Sequence, residues 1–408
     1  MTVMFSLLSI GSASLALDNW DGAVSVALNL VASAIAFCAG LAFRSLYERV
    51  ARKREAEAQR RLIQTGASAW TFPWLESYYL KRGSVDDMYV AKLADGQLRL
   101  PILMRPEWVL DTTDLDSLVV VDDSPQPIRA LDAPTLKRRG LSVNSVPGEW
   151  NARHACALRI GTANDAAQVV AGTCDYKEYI STSGRLEDEA KAAIEAGSSS
   201  APFRDQRLSG RDVLQFGSAG THSIGMVTAV IVRVEGTDQV LLHRRSAAVS
   251  TYPGSIGLIP MFGCQPTEPA SATQVSLRWN FLREVYEELF GGHEAQRPTL
   301  RPSADWFMAD SRMEWFEEEV LSSYPLRVLG YGLDALNGQL IFGSAIHIKD
   351  EAISQRLLMQ ILGNWEMDSM HLVDLNGSEM NQLLRDRTMV PACAFTIARC
   401  REVLTVGA

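Results

Sequence analysis

Between residues 224 and 292 the pattern of apolar and polar positions changes period. The run 224–234 (IGMVTAVIVRV) is β-branched and almost continuously apolar, Glu235, Gly236, Thr237 and Asp238 read as a turn, and 239–244 (QVLLHR) reads as a second strand. A Gly/Pro-rich segment follows at 253–269, and 279–292 (WNFLREVYEELFGG) then takes up a helical period. On such a helix Glu284, Glu287 and Glu288 fall at i, i+3 and i+4 and project from one side, while Leu282, Val285 and Leu289 face the other. The pattern therefore predicts one acidic face and one buried face.

The same reading extends to the rest of the chain. A further strand pair is predicted at 326–336 (LRVLGYGLDAL) and 338–348 (GQLIFGSAIHI), followed by 364–375 (NWEMDSMHLVDL) with Glu366 and Asp368. Residues 70–205 alternate short apolar runs (MYVAKL, LRLPILM, SLVVVDD, ACALRIG, AAQVVAG) with Asp, Pro and Gly turns, which predicts a β-rich accessory domain. A helix over 186–196 and a Ser/Gly/Pro stretch at 197–202 close this region, so the boundary to a domain at 206–408 is drawn there. That stretch could equally be a loop inside one composite domain with a ligand between its halves.

The N-terminus has a different pattern. Residues 22–43 carry no formal charge over twenty-two positions, enough for one helix to cross a hydrocarbon core. Arg44, Arg49, Arg52, Lys53, Arg54, Arg60 and Arg61 follow, and this basic cluster predicts that the bulk of the chain is cytoplasmic. Residues 1–43 are thus read as a membrane anchor, and 1–17 as an extracytoplasmic tail, an interfacial helix or a short second span. Residues 44–69 are rich in Ala, Arg, Glu and Gln and read as a basic helical stalk. The stalk could pair with a copy of itself into a homo-oligomer, although its apolar positions are too few for a heptad repeat.

A net charge of −9 and a pI near 5.3 argue against general nucleic-acid binding, which needs clustered positive charge. The six cysteines show no CxxC pair and no adjacent histidine pattern, so neither a zinc site nor a disulfide framework is indicated. The chemistry of the chain concentrates on the acidic helix. Three carboxylates on one side repel one another unless a cation, a paired arginine or solvent neutralises them. Magnesium or manganese suits such a face, because hard divalent ions take oxygen ligands and still hold water and phosphate.

Arg283-Glu284-x-x-Glu287-Glu288, placed after a predicted hairpin, resembles the second half of the box of the Nudix hydrolase family. The upstream half departs from it: Gly263 and Glu268 stand one residue too close, fourteen residues separate Glu268 from Arg283 where the family has fewer, and Phe290 takes the place of a glycine. The resemblance implies an α+β chain, with a Nudix-like α/β/α sandwich at 206–408 behind the accessory domain and the transmembrane helix. It implies Glu284, Glu287 and Glu288 as metal ligands and catalytic groups, Arg283 as the residue that holds them, and Mg2+ or Mn2+ as cofactor. Glu366 is the downstream carboxylate that would act as base or complete the metal shell. Arg244 and Arg245, at the end of the second strand, could pair with substrate phosphate. The implied activity is hydrolysis of a nucleoside diphosphate linked to another group, such as a nucleotide sugar, at the cytoplasmic membrane face. The alternative is a non-catalytic Nudix-like sensor that binds a nucleotide and signals through its membrane segment.

Overall fold

The computed structural model of the chain describes residues 67–404 except 94–95, 123–130, 139–152, 164–165, 209–221, 247–248, 250–251, 268–274, 293–304, 365–366 and 386. The membrane run at 22–43, almost all of the stalk, the stretch 1–17, Glu268 and Glu366 lie outside the described residues. Among those described, no helix is long and apolar enough to cross a membrane. Leu62–Ala408 forms one compact unit with a mixed α/β architecture.

The described residues form thirteen strands. Six precede residue 205: β1 (Met88–Leu93), β2 (Gly96–Leu103), β3 (Val109–Thr112), β4 (Val119–Val121), β5 (Arg153–Ala163) and β6 (Ala166–Asp175). Seven follow: β7 (His222–Val234), β8 (Thr237–Arg245), β9 (Ile256–Leu258), β10 (Met261–Gly263), β11 (Arg327–Asp334), β12 (Leu340–Ile348) and β13 (Met367–Asp374). The main path of the sheet runs β1-β2-β11-β12-β7-β5-β6-β4, so strands from both sides of residue 205 share one hydrogen-bonded layer. The joins are specific: β2 meets β11 at Leu103 and Leu333, β3 meets it at Val109 and Gly330, and β5 meets β7 at Cys156 and Ser223.

The pivot of the sheet is β7. Its apolar run lacks the alternation of a half-exposed strand, as expected for a strand covered on both faces, and it is buried from His222 to Val232. It pairs parallel with β12 along Ile224–Val232, antiparallel with β8 at its C-terminal end and antiparallel with β10 at Gly225–Val227. The β7–β8 turn is the tight two-residue kind: Glu235 and Gly236 both take positive φ, 49° and 75°, which suits the twist of a hairpin. Helix Pro391–Leu404 lies over β1, β2, β7, β11 and β12 and is buried from Pro391 to Cys400. A Cβ at Gly343 would meet Thr396 Oγ1 at 2.8 Å, so glycine there allows the helix to approach.

Candidate functional site

The acidic helix begins at Leu277, where the Ser276 side chain caps it by accepting from the Trp279 amide at 3.1 Å. It runs as an α-helix through Glu284 and widens into a π turn over Val285–Leu289, the turn that carries Glu287 and Glu288. Insertions of this kind recur at functional sites, because they re-aim side chains that a regular helix would stack. The apolar side is buried as expected, with Val285 and Leu289 at 0 % exposure. The acidic side is not a solvated face. Glu284, Glu287 and Glu288 retain only 8, 5 and 5 % of their surface, so these three carboxylates have left bulk water.

Their charge is met in part by Arg283, itself 2 % exposed. Its Nη1 donates to Glu287 Oε2 at 2.8 Å and its Nη2 donates to Glu284 Oε1. Glu288 Oε2 accepts from the Met261 amide of β10 at 3.0 Å. Arg283 pairs with two of the three carboxylates, and buried charge is stable only when neutralised. Glu287 Oε1 is buried with no hydrogen-bond partner. Among the described residues, no cluster of three or more His, Cys, Asp and Glu side chains is arranged to enclose a metal ion. The oxygen donors of Glu284, Glu287 and Glu288 nonetheless have the chemistry that hard divalent ions take.

The structure brings Arg283, Glu284, Glu287 and Glu288 together and divides the arginine pair. Successive residues of a strand face opposite sides. Accordingly Arg244 is exposed, with Nη1 donating to the Gly254 carbonyl at 2.8 Å, while Arg245 is buried. Arg245 and Glu288 both act electrostatically on the Cys393 thiol, which burial pushes up to about 12.

Sequence reasoning did not single out several neighbours of the site. Asn280, wholly buried one helical turn before Arg283, bonds both backbone groups of Gln265. His154 of β5 lies against Gly263, where a Cβ would stand 3.1 Å from its Nδ1, and packs on Tyr176 and Tyr179. Burial, with the Arg283 charge as a second cause, pushes His154 down to about 4, so it is neutral near pH 7. Arg312 closes the far end of the helix by donating to the Phe290 carbonyl at 2.8 Å. The spacing of glutamates marked the helix, but nothing in a linear pattern marks a histidine brought in from a strand more than a hundred residues earlier.

No family model matches the chain, and no curated protein matches it either. Solved structures that resemble it include the Nudix hydrolase RenU from M. smegmatis, at 15% identity over 45% of this chain and 87% of that one, with a TM-score of 0.24. A MutT/nudix family protein from Enterococcus faecalis shows 13% identity over 54% and 74% of the two chains, TM-score 0.27. A NUDIX hydrolase from Alicyclobacillus acidocaldarius shows 15% over 43% and 89%, TM-score 0.26. Likeness at this level identifies neither an activity nor a substrate for this chain.

Proposed function

We propose that this chain is a metal-dependent hydrolase of a nucleoside diphosphate linked to another group, held at the cytoplasmic face of a membrane by residues 22–43. The observation that carries this reading is the buried, unpartnered Glu287 Oε1 within an Arg-Glu-x-x-Glu-Glu constellation whose three carboxylates are all nearly out of solvent. Glu284, Glu287 and Glu288 would hold Mg2+ or Mn2+, which when bound supplies charge neutralisation for a pyrophosphate and acidifies water. Arg283 fixes the directions of Glu284 and Glu287 by charge-assisted hydrogen bonds. Arg244 and Arg245 face opposite sides of β8, so one of the two would meet substrate phosphate, and Glu366 would take the proton of the attacking water. In the reaction the water oxygen joins one phosphorus and the bridging oxygen leaves with the other, giving a nucleoside monophosphate and a phosphorylated partner.

The test uses the full-length chain in detergent micelles with nucleoside-diphosphate sugars first, then NAD, coenzyme A and dinucleoside polyphosphates. Release of monophosphate is scored with magnesium, with manganese and with chelator. The Glu287→Gln variant keeps the shape of the side chain and is expected to lose turnover at least about a hundredfold.

A second reading is favoured by one observation: Arg283 already pairs with two of the three glutamates. On that reading the chain is a nucleotide sensor without turnover. Tight binding of one nucleotide in the presence of chelator, with no product from any compound, would replace the hydrolase reading by the sensor.

A further inference from the structure

Strand β10 and the two residues after it, Met261 to Gln265, form an extended segment with a helix in place of one neighbour. On one edge it bonds β7, with Thr228 N donating to the Pro260 carbonyl at 3.0 Å and Cys264 N donating to the Ile224 carbonyl at 2.7 Å. The backbone groups that alternate with these face the other way. There Glu288 Oε2 accepts from Met261 N at 3.0 Å, Asn280 Oδ1 accepts from Gln265 N at 2.8 Å, and Asn280 Nδ2 donates to the Gln265 carbonyl at 2.8 Å. The Asn280 amide thus does for Gln265 what a paired strand residue would do, and its Nδ2 also donates to the Ser276 carbonyl at 2.9 Å. The two clamps match in length. Four residues of extended chain span about 13 Å, and the eight residues from Asn280 to Glu288 span about 12 Å of helix. Strand and helix therefore run antiparallel in a fixed register. Gly263 lies between the clamps, alongside the stretch of helix that carries Glu284 and Glu287.

We propose that Asn280 is a positioning residue: it locks the register between Met261–Gln265 and the acidic helix, and so seats Glu288 on Met261 and the Gly263 backbone along the carboxylates. The consequence for a bound cation rests on the reading of the site given above; the register lock does not.

Residue-resolved hydrogen exchange on the full chain tests the lock directly. In Asn280→Ala the Gln265 amide loses its acceptor, and the proposal expects the Met261 amide, at the far clamp, to exchange at least tenfold faster as well. Ser276→Ala weakens the same helix at its cap and is expected to leave both amides within threefold of wild type. Acceleration confined to Gln265 in Asn280→Ala overturns the proposal, as does equal acceleration in Ser276→Ala. If Asn280→Ala does not fold, Asn280→Asp, which keeps the acceptor and removes both donations, is read by the same criterion at Met261. Manganese affinity, measured without substrate, separates the two levels. A wild type that binds no manganese removes the hydrolase reading, while the exchange result still decides the lock; given wild-type binding, a tenfold loss in Asn280→Ala ties the lock to the site, and unchanged affinity severs it from the site.

Discussion

Arg283 shows what burial does to an ion pair. On a wet surface an Arg-Glu pair at this spacing contributes a few tenths of a kcal/mol, but here all partners are nearly out of solvent. Removing one member leaves buried charge without compensation, which costs about 3–5 kcal/mol. Arg283→Leu is therefore expected to lower stability by that order in urea unfolding, whereas Arg244→Leu, at an exposed position, is expected to change it by less than about 0.5 kcal/mol. A small loss in Arg283→Leu would mean that the glutamates are neutralised by another group. The identity of these residues was legible in the sequence, because glutamates at i, i+3 and i+4 share a side of any helix. Their burial was not, because burial depends on what packs over that side.

At the scale of elements, close approach decides where glycine is needed. Gly330 in β11 takes φ 145°, and a Cβ there would stand 2.9 Å from the Trp108 carbonyl, a backbone atom that cannot swing aside. Trp108 immediately precedes β3, which pairs with β11 across a register shift between Val328 and Gly330. Gly330→Ala is expected to cost about 1–3 kcal/mol, read as a lower denaturation midpoint with an unchanged denaturant slope. Gly96 also has φ 145° but open space around it, so its substitution isolates the backbone strain from the clash. The hairpin β7–β8 was legible from turn chemistry and apolar runs. The insertion of β10 beside β7 was not, since a three-residue strand offers no period to read.

For the whole molecule, pH dependence is set by buried groups contributed from both sides of residue 205. Asp334, at the end of β11, accepts from Tyr252 Oη at 2.7 Å and from Leu336 N at 2.8 Å, yet burial raises its carboxyl to about 6, with the Glu187 charge adding to the rise and Arg204 opposing it. A carboxyl raised above its unfolded value contributes stability that is complete below about pH 4 and is lost as pH rises through about 6. Asp334→Asn removes this slope, so its stability relative to wild type is expected to improve by about 2 kcal/mol between pH 4 and pH 7. His243 works in the opposite sense. Burial, with Arg245 as second cause, lowers it to about 3, so its contribution is complete above about pH 6.5 and is lost as pH falls. Equilibrium unfolding of wild type and Asp334→Asn across pH 4–7 checks the sign: a gap that is constant with pH would show that Asp334 ionises alike in the folded and unfolded chain.

What the sequence determined by itself were the local features: a hairpin turn within Glu235–Asp238, which the structure narrows to Glu235 and Gly236, the strands around 224–244 and 326–348, the acidic helix and its Arg-Glu-x-x-Glu-Glu spacing. Each of these depends on residues within a few positions of one another, through period, turn chemistry and β-branching. Only the tertiary structure decided that the strands of 70–205 pair into the same sheet as those of 206–408, that the acidic face is covered, and that Asn280 and Glu288 stand in for a strand beside β10. Those outcomes depend on contacts between residues far apart in the chain, which leave no periodic trace in the sequence.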